Sequence, residues 1–273
     1  MPQTSPSSAL GSVRYKLKDA SVDDTDYKRL LEVFKKYDVR YFFYNGGNDS
    51  MDTCNKISKY MAKSGYEMNV IGVPKTIDND LFGTDHCPGF ASAAKYIATS
   101  IMEINLDAKV YDTPMICVIE VMGRNAGYIA LWCGIANGAE NILIPGKEDY
   151  SVEQLIEQIV HNKKIGKKHH IIINAEGVGH SSSMAKRIEE ATGVETRATI
   201  LGHMQRGGSP TCKDRVYASM MGSMAVELLC AGKSNRVVAE VKGEFVDYDI
   251  DEALAMTKDV DEGMYQVSKL LCR

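Results

Sequence analysis

Met115-Ile116-Cys117-Val118-Ile119-Glu120-Val121-Met122-Gly123-Arg124 is the stretch on which the fold turns. Its apolar run has the length of a strand buried on both faces, and Asn125–Ala136 then repeats apolar residues at helical spacing. Outward in both directions the same alternation recurs. Strands are predicted at Arg40–Tyr44, Asn69–Val73, Met115–Val121, Asn141–Ile144, His170–Asn174, Thr199–Leu201 and Val237–Val241. Helical spacing marks Asp26–Lys36, Ser50–Lys63, Ala91–Leu106, Val152–Asn162, Met184–Thr192 and Cys212–Leu229. Strand–helix alternation of this kind predicts an α/β fold, doubly wound on parallel sheets. Such sheets bind ligands at the carboxyl ends of their strands, which directs attention to the residues just after each strand.

The chain's 273 residues suit two domains, and 44% hydrophobic content supplies a sizeable core. The 32 Lys+Arg against 36 Asp+Glu leave a net charge of −4, which argues against a polyanion such as nucleic acid as partner. No apolar run reaches the roughly 18–20 residues that span a bilayer, and the start lacks the basic-then-apolar layout of a secretion signal. A soluble, cytoplasmic protein without a membrane partner is expected. Seven scattered cysteines with no zinc-ligand spacing read as reduced, mostly buried thiols. Pro2–Ser8 is the one loose end predicted.

Polar chemistry follows most of the strands. Gly46-Gly47 before a helix lets backbone N–H groups approach an anion; a tight turn with Asp49 as helix cap accounts for the same residues without one. In Pro74-Lys75-Thr76-Ile77-Asp78-Asn79-Asp80, Asp78 is suited to accept a proton from an alcohol. Lys75 and Arg124 are suited to neutralise charge on a transferring phosphoryl group, although a cap network with a surface lysine is the plainer reading. Arg197, His203 and Arg206 form a basic group suited to a phosphate monoester, or a set of solvated loop residues. Glu176, between Ala175 and Gly177, is placed either to bind sugar hydroxyls or to cap a turn.

Taken in order, Gly46–Ser50, Pro74–Asp80, Glu120–Arg124, Ala175–Gly177 and Glu195–Pro210 resemble the motifs of the 6-phosphofructokinase family, from Leu10-Gly11-Ser12-Val13-Arg14 almost to the carboxyl end. The resemblance implies Rossmann-like sheets in two domains with a cleft between them, residues 1–88 plus 206–256 binding the phosphoryl donor and 89–205 plus 257–273 the sugar phosphate. It implies transfer of a phosphoryl group to O1 of fructose 6-phosphate. In the family Asp78 would take the proton of the 1-hydroxyl, with Thr76 and Arg124 assisting. The substrate pocket would comprise Thr76, Ile77, Asp78, Met122, Gly123, Arg124, Glu176, His203 and Arg206, and Arg197 would reach the sugar phosphate of a neighbouring subunit. A homo-oligomer, dimer or tetramer, with intersubunit sites follows from that. Gly46, Gly47, Arg14 and Lys75 would bind the donor, and Asn48 and Asp80 would hold Mg²⁺.

The donor is read from two positions. Family members that use ATP resemble G-G-D-G-S followed by P-G-T-I-D-N-D, whereas pyrophosphate users carry Asp and Lys where this chain has Asp49 and Lys75. A carboxylate there crowds and repels an α-phosphate, and an ammonium favours pyrophosphate. Pyrophosphate is the expected donor, with Asp49 and Lys75 counted among the catalytic residues, and ATP the alternative. Three departures from the family are read as well. The chain begins near a motif that in the family follows a first strand and a glycine-rich phosphate loop, so part of that phosphate site is expected to be missing. Asn48 replaces an Asp, and Met115 replaces an Arg of the sugar-phosphate site. A catalytically weak paralogue that binds sugar phosphate or a full-length partner subunit is the second class of function left open.

Overall fold

The structure, a computed structural model, describes residues 11–147 and 151–271; Pro2–Ser8 and Cys272 lie outside the described residues. In chain order the elements are α1 (Thr25–Lys36), β1 (Tyr41–Gly46), α2 (Asn48–Lys63), β2 (Asn69–Pro74), α3 (Phe90–Lys109), β3 (Met115–Val121), α4 (Tyr128–Asn137), β4 (Asn141–Leu143) and α5 (Val152–Lys164). They continue with β5 (His169–Ala175), α6 (Ser181–Thr192), β6 (Glu195–Ile200), a 3-10 turn (Gly202–Arg206), α7 (Cys212–Cys230), β7 (Arg236–Val241), β8 (Glu244–Asp249), α8 (Ile250–Ala255) and α9 (Glu262–Leu271).

The chain divides into two compact units. The first comprises Met1–Thr76, Asp80–Gly89 and Pro210–Lys258; the second Ile77–Asn79, Phe90–Ser209 and Asp259–Arg273. Residues 77–79 and 206–209 therefore belong to the second unit, where a division at 88 and 206 would have put them in the first.

In the first unit the sheet order is β1-β2-β7-β8. Strands β1, β2 and β7 are parallel, and β7 and β8 form an antiparallel hairpin. The hairpin departs from the expectation of wholly parallel sheets. Its turn, Lys242-Gly243, has φ of 54° and 87°, the two left-handed residues that a type I′ connection requires. Side chains alternate across the sheet. Val70 and Val237 meet Met51 and Ile57 of α2 and Ile250 of α8, while Ile71 and Val238 meet Met221, Ala225 and Leu228 of α7.

The second unit holds the sheet β4-β5-β3-β6, parallel throughout. Ile116, Val118 and Ile172 face Leu155 and Ile159 of α5 and Met184 and Ile188 of α6. Cys117, Ile119, Val121, Ile171 and Ile173 face Ile97 and Ile101 of α3 and Ile129 and Leu131 of α4. Both sheets are thus covered on both faces, which is why their central strands read as unbroken apolar runs. Met115 is a core residue, 2% exposed at the start of β3.

The thiols of Cys54, Cys87, Cys117 and Cys133 are buried, and those of Cys212 and Cys230 are exposed. Burial pushes the thiols of Cys54 and Cys133 up to about 12, so they are inert packing groups at neutral pH. Among the described residues no helix is long and apolar enough to cross a membrane.

Candidate functional site

In the first unit, parallel register sets Gly46 beside Pro74, and the Lys75 N–H donates to the Gly46 carbonyl at 2.9 Å. The carboxyl ends of β1 and β2 are thereby tied together one residue before Thr76. Helix α2 opens at Asn48 with Gly47 as its cap, in extended backbone and without a side-chain cap bond. Asp49 is consequently not the cap residue; it lies in the first turn, where a carboxylate meets the positive end of the helix dipole. The Lys16 ammonium pairs with Asp49 Oδ1 at 3.2 Å, both side chains largely exposed. Lys75 and Arg14 are exposed as well, and Thr76 is half-buried beside Gly47.

Asn48 supplies a test for a hard cation. Its Nδ2 donates to the Asp80 carbonyl at 3.0 Å and to Asp80 Oδ2 at 3.1 Å, which leaves its Oδ1 buried with no hydrogen-bond partner. An orphaned amide oxygen next to a carboxylate is the donor set Mg²⁺ uses when substrate phosphates complete its coordination. Among the described residues no cluster of three His, Cys, Asp or Glu side chains could enclose a metal alone.

In the second unit the chain leaves β3 through a sharp turn. Gly123 has φ 125° and Arg124 φ 49°, left-handed backbone that costs a non-glycine residue about 1–3 kcal/mol and persists only where the surroundings impose it. Glu176 does so: its Oε1 accepts from the Gly123 N–H at 3.2 Å and the Arg124 N–H at 2.7 Å. The Met122 N–H donates to Gln205 Oε1 at 3.0 Å, and Gln205 Nε2 donates to the Gly202 carbonyl at 2.9 Å. So held, the Arg124 Nε lies 3.7 Å from Asp78 Oδ2. Asp78 is 8% exposed, with half-buried Ile77 before it and Asn79 after it in left-handed backbone at φ 54°.

The structure therefore gathers Ile77, Asp78, Met122, Gly123, Arg124 and Glu176 in one unit, and Gly46, Gly47, Asn48, Asp49, Lys75, Thr76 and Asp80 in the other. One oxygen of Glu176 is engaged by backbone, so the turn-capping alternative describes it directly. The expected basic group is split. Arg197 lies on β6, an edge strand, paired with Glu195 at 2.6 Å and 6.0 Å from the Tyr111 ring centroid. His203 and Arg206 are exposed on the 3-10 turn beyond it.

Two residues went unread in the sequence. Gln205 is 1% exposed although it stands between His203-Met204 and Arg206, and only its place in the Gly202–Gly208 run hinted at a structural duty. Lys16 is the other, and its pairing with Asp49 across 33 positions leaves no local sign.

The chain matches the family model described as Phosphofructokinase over residues 3–229. The ATP-dependent 6-phosphofructokinase of Clostridium botulinum (strain Loch Maree / Type A3) is 43% identical over 246 residues, 90% of this chain and 74% of that protein. The ATP-dependent 6-phosphofructokinase of Bacillus thuringiensis (strain Al Hakam) is 46% identical over 241 residues, 88% of this chain and 73% of that protein. The crystal structure of pyrophosphate-dependent phosphofructokinase from Marinobacter aquaeolei superimposes with a TM-score of 0.84 at 34% identity, covering 94% of this chain and 68% of that one.

Proposed function

Because the chain belongs to the phosphofructokinase family, a family of glycolytic transferases, we propose that it moves a phosphoryl group from pyrophosphate to O1 of fructose 6-phosphate. The observation that carries the donor assignment is the register of β1 and β2. Gly46 pairs with Pro74, so Asp49 and Lys75 follow the ends of neighbouring strands on one edge of one sheet. A carboxylate there disfavours an α-phosphate by charge and bulk, and an ammonium favours the compact charge of pyrophosphate.

Asp78 takes the proton of the sugar's 1-hydroxyl as O1 bonds to phosphorus and the bridging P–O bond breaks to release phosphate. Arg124, beside Asp78, and Lys75 and Thr76 on the donor side stabilise the charge that develops. Asn48 and Asp80 hold Mg²⁺, which when bound screens the charge of the donor phosphates. His203 and Arg206 bind the sugar phosphate, and Arg197 on its exposed edge strand serves a neighbouring copy in a homo-oligomer. Similar energies of the phosphates exchanged make the reaction readily reversible.

ATP is the second reading, favoured by the ATP-dependent proteins of Clostridium botulinum and Bacillus thuringiensis at 43% and 46% identity. Two substitutions separate the readings. With pyrophosphate as donor, Lys75→Gly lowers turnover about 10²–10³-fold, by analogy with the loss of an oxyanion donor, while Asp49→Gly raises the rate with ATP. Undiminished pyrophosphate turnover in Lys75→Gly, measured by coupled assay, contradicts the assignment.

A further inference from the structure

His86 and Asp214 form a buried pair in the first unit, far apart in sequence and separate from every residue assigned above. His86 Nε2 lies 2.8 Å from Asp214 Oδ1, with the two side chains only 6% and 5% exposed. A carboxylate can only accept, so the ring nitrogen facing it carries the proton. Asp214 belongs to the first turn of α7, where its own N–H donates to Thr211 Oγ1 at 3.2 Å. Tyr217 packs edge-on against the His86 ring, centroids 5.1 Å apart. Burying such a pair is expensive, and removing one partner strands the other in a dry interior.

The pair's surroundings indicate what it holds. The segment Asp80–Gly89 is fastened to β7 by the Asp85 N–H, which donates to the Glu240 carbonyl at 2.7 Å, and by the Glu240 N–H, which donates to Thr84 Oγ1 at 3.0 Å. It is fastened to α7 by His86. Two residues beyond His86, the Pro88 carbonyl accepts the Thr76 N–H at 3.2 Å, and Thr76 pairs with Gly89 as an isolated parallel bridge. A continuous path thus runs from the start of α7 through His86 and Pro88 to the backbone of Thr76.

We propose that His86 and Asp214 are positioning residues: their hydrogen bond fixes the Pro88 carbonyl and through it the backbone of Thr76, so phosphoryl transfer depends on a pair that touches neither substrate. This rests on the role given to Thr76 above. The test compares His86→Leu, which removes the donor, with His86→Gln, whose amide Nε2 can still reach Asp214. Amide hydrogen exchange is read at Thr76 in the substrate-free full chain, together with kcat and KM for fructose 6-phosphate under pyrophosphate.

His86→Leu should speed exchange at Thr76 at least tenfold and lower kcat about 10–100-fold, since small misplacements of catalytic groups cost up to roughly 10² in rate. KM for fructose 6-phosphate should stay within about twofold, and His86→Gln should restore most of both losses. Should His86→Leu fail to fold, Asp214→Asn, which keeps the volume and removes the charge, should show the same two changes at smaller size. Unchanged exchange at Thr76 in a folded variant overturns the proposal, as does a fall in kcat that merely tracks the folded fraction and that His86→Gln does not reverse. A wild-type chain without turnover overturns the functional reading instead, and the exchange at Thr76 still decides whether the pair holds it.

Discussion

Asp78 lies 3.7 Å from Arg124 with 8% of its surface exposed, a carboxylate kept close to a cation at the end of a strand. Asp78→Asn keeps the shape and removes the base. We expect turnover to fall about 10²–10⁴-fold while fructose 6-phosphate binding, measured by calorimetry, stays within a few-fold; near-normal turnover would remove Asp78 from the role. Gly177 tests the turn that presents Arg124. A Cβ there would run into the Arg124 carbonyl oxygen and come within 2.8 Å of Asn125 Oδ1. Gly177→Ala should therefore push the Gly123–Arg124 turn off its Glu176 anchor. The expected outcome is a loss of at least about tenfold in kcat/KM with a stability cost of roughly 1–3 kcal/mol, read by kinetics and thermal unfolding. At this scale the sequence places Asp78 and Arg124 after two different strands, and only the structure shows that their side chains come within 3.7 Å of each other. Glu176 left two meanings open, because a carboxylate at a strand end serves substrate and backbone with the same atoms.

Strand β5 carries a pH-sensitive group of its own. His170 is 4% exposed, its Nε2 is 2.6 Å from Asn141 Oδ1, and Asn141 in turn donates to Gln158 Oε1 at 2.9 Å. Burial pushes the imidazole from 6.5 down to about 4. Below pH 6.5 the unfolded chain takes up a proton that the folded chain refuses until about pH 4. The neutral ring's contribution is therefore fully present above pH 6.5 and is lost as pH falls toward 4, by up to about 3 kcal/mol. Urea unfolding between pH 7 and 4.5 should show that decline, and His170→Gln should flatten it by about one proton; identical slopes would refute it. The two strands that the sequence reads least well share a cause. The strand expected at Thr199–Leu201 is β6, Glu195–Ile200, an edge strand whose exposed Arg197 and Ala198 break the apolar signature. Strand β8 is likewise at an edge, paired on one side only with β7, and no strand is predicted over Glu244–Asp249. Burial on both faces made β3 plain; exposure blurred the bounds of β6 and hid β8.

For the whole molecule, each unit is built on a doubly wound sheet, with Gly46, Gly47 and Lys75 at the carboxyl ends of parallel strands in the first and Met122, Gly123, Arg124 and Glu176 in the second. The alternation of apolar runs and helical repeats announced that architecture. The sequence was silent on the pairings that hold it, such as Lys16 with Asp49 or Gln205 with Met122, because they join residues far apart in the chain. The unmodified chain decides between the two donors. Initial rates of fructose 6-phosphate phosphorylation are measured at saturating Mg²⁺ with pyrophosphate and with ATP, each over a range of concentrations. With pyrophosphate as donor, its kcat/KM should lie at least about 10²-fold above that for ATP, the contribution of one well-placed charged group. Equal values, or a preference for ATP, would contradict that assignment.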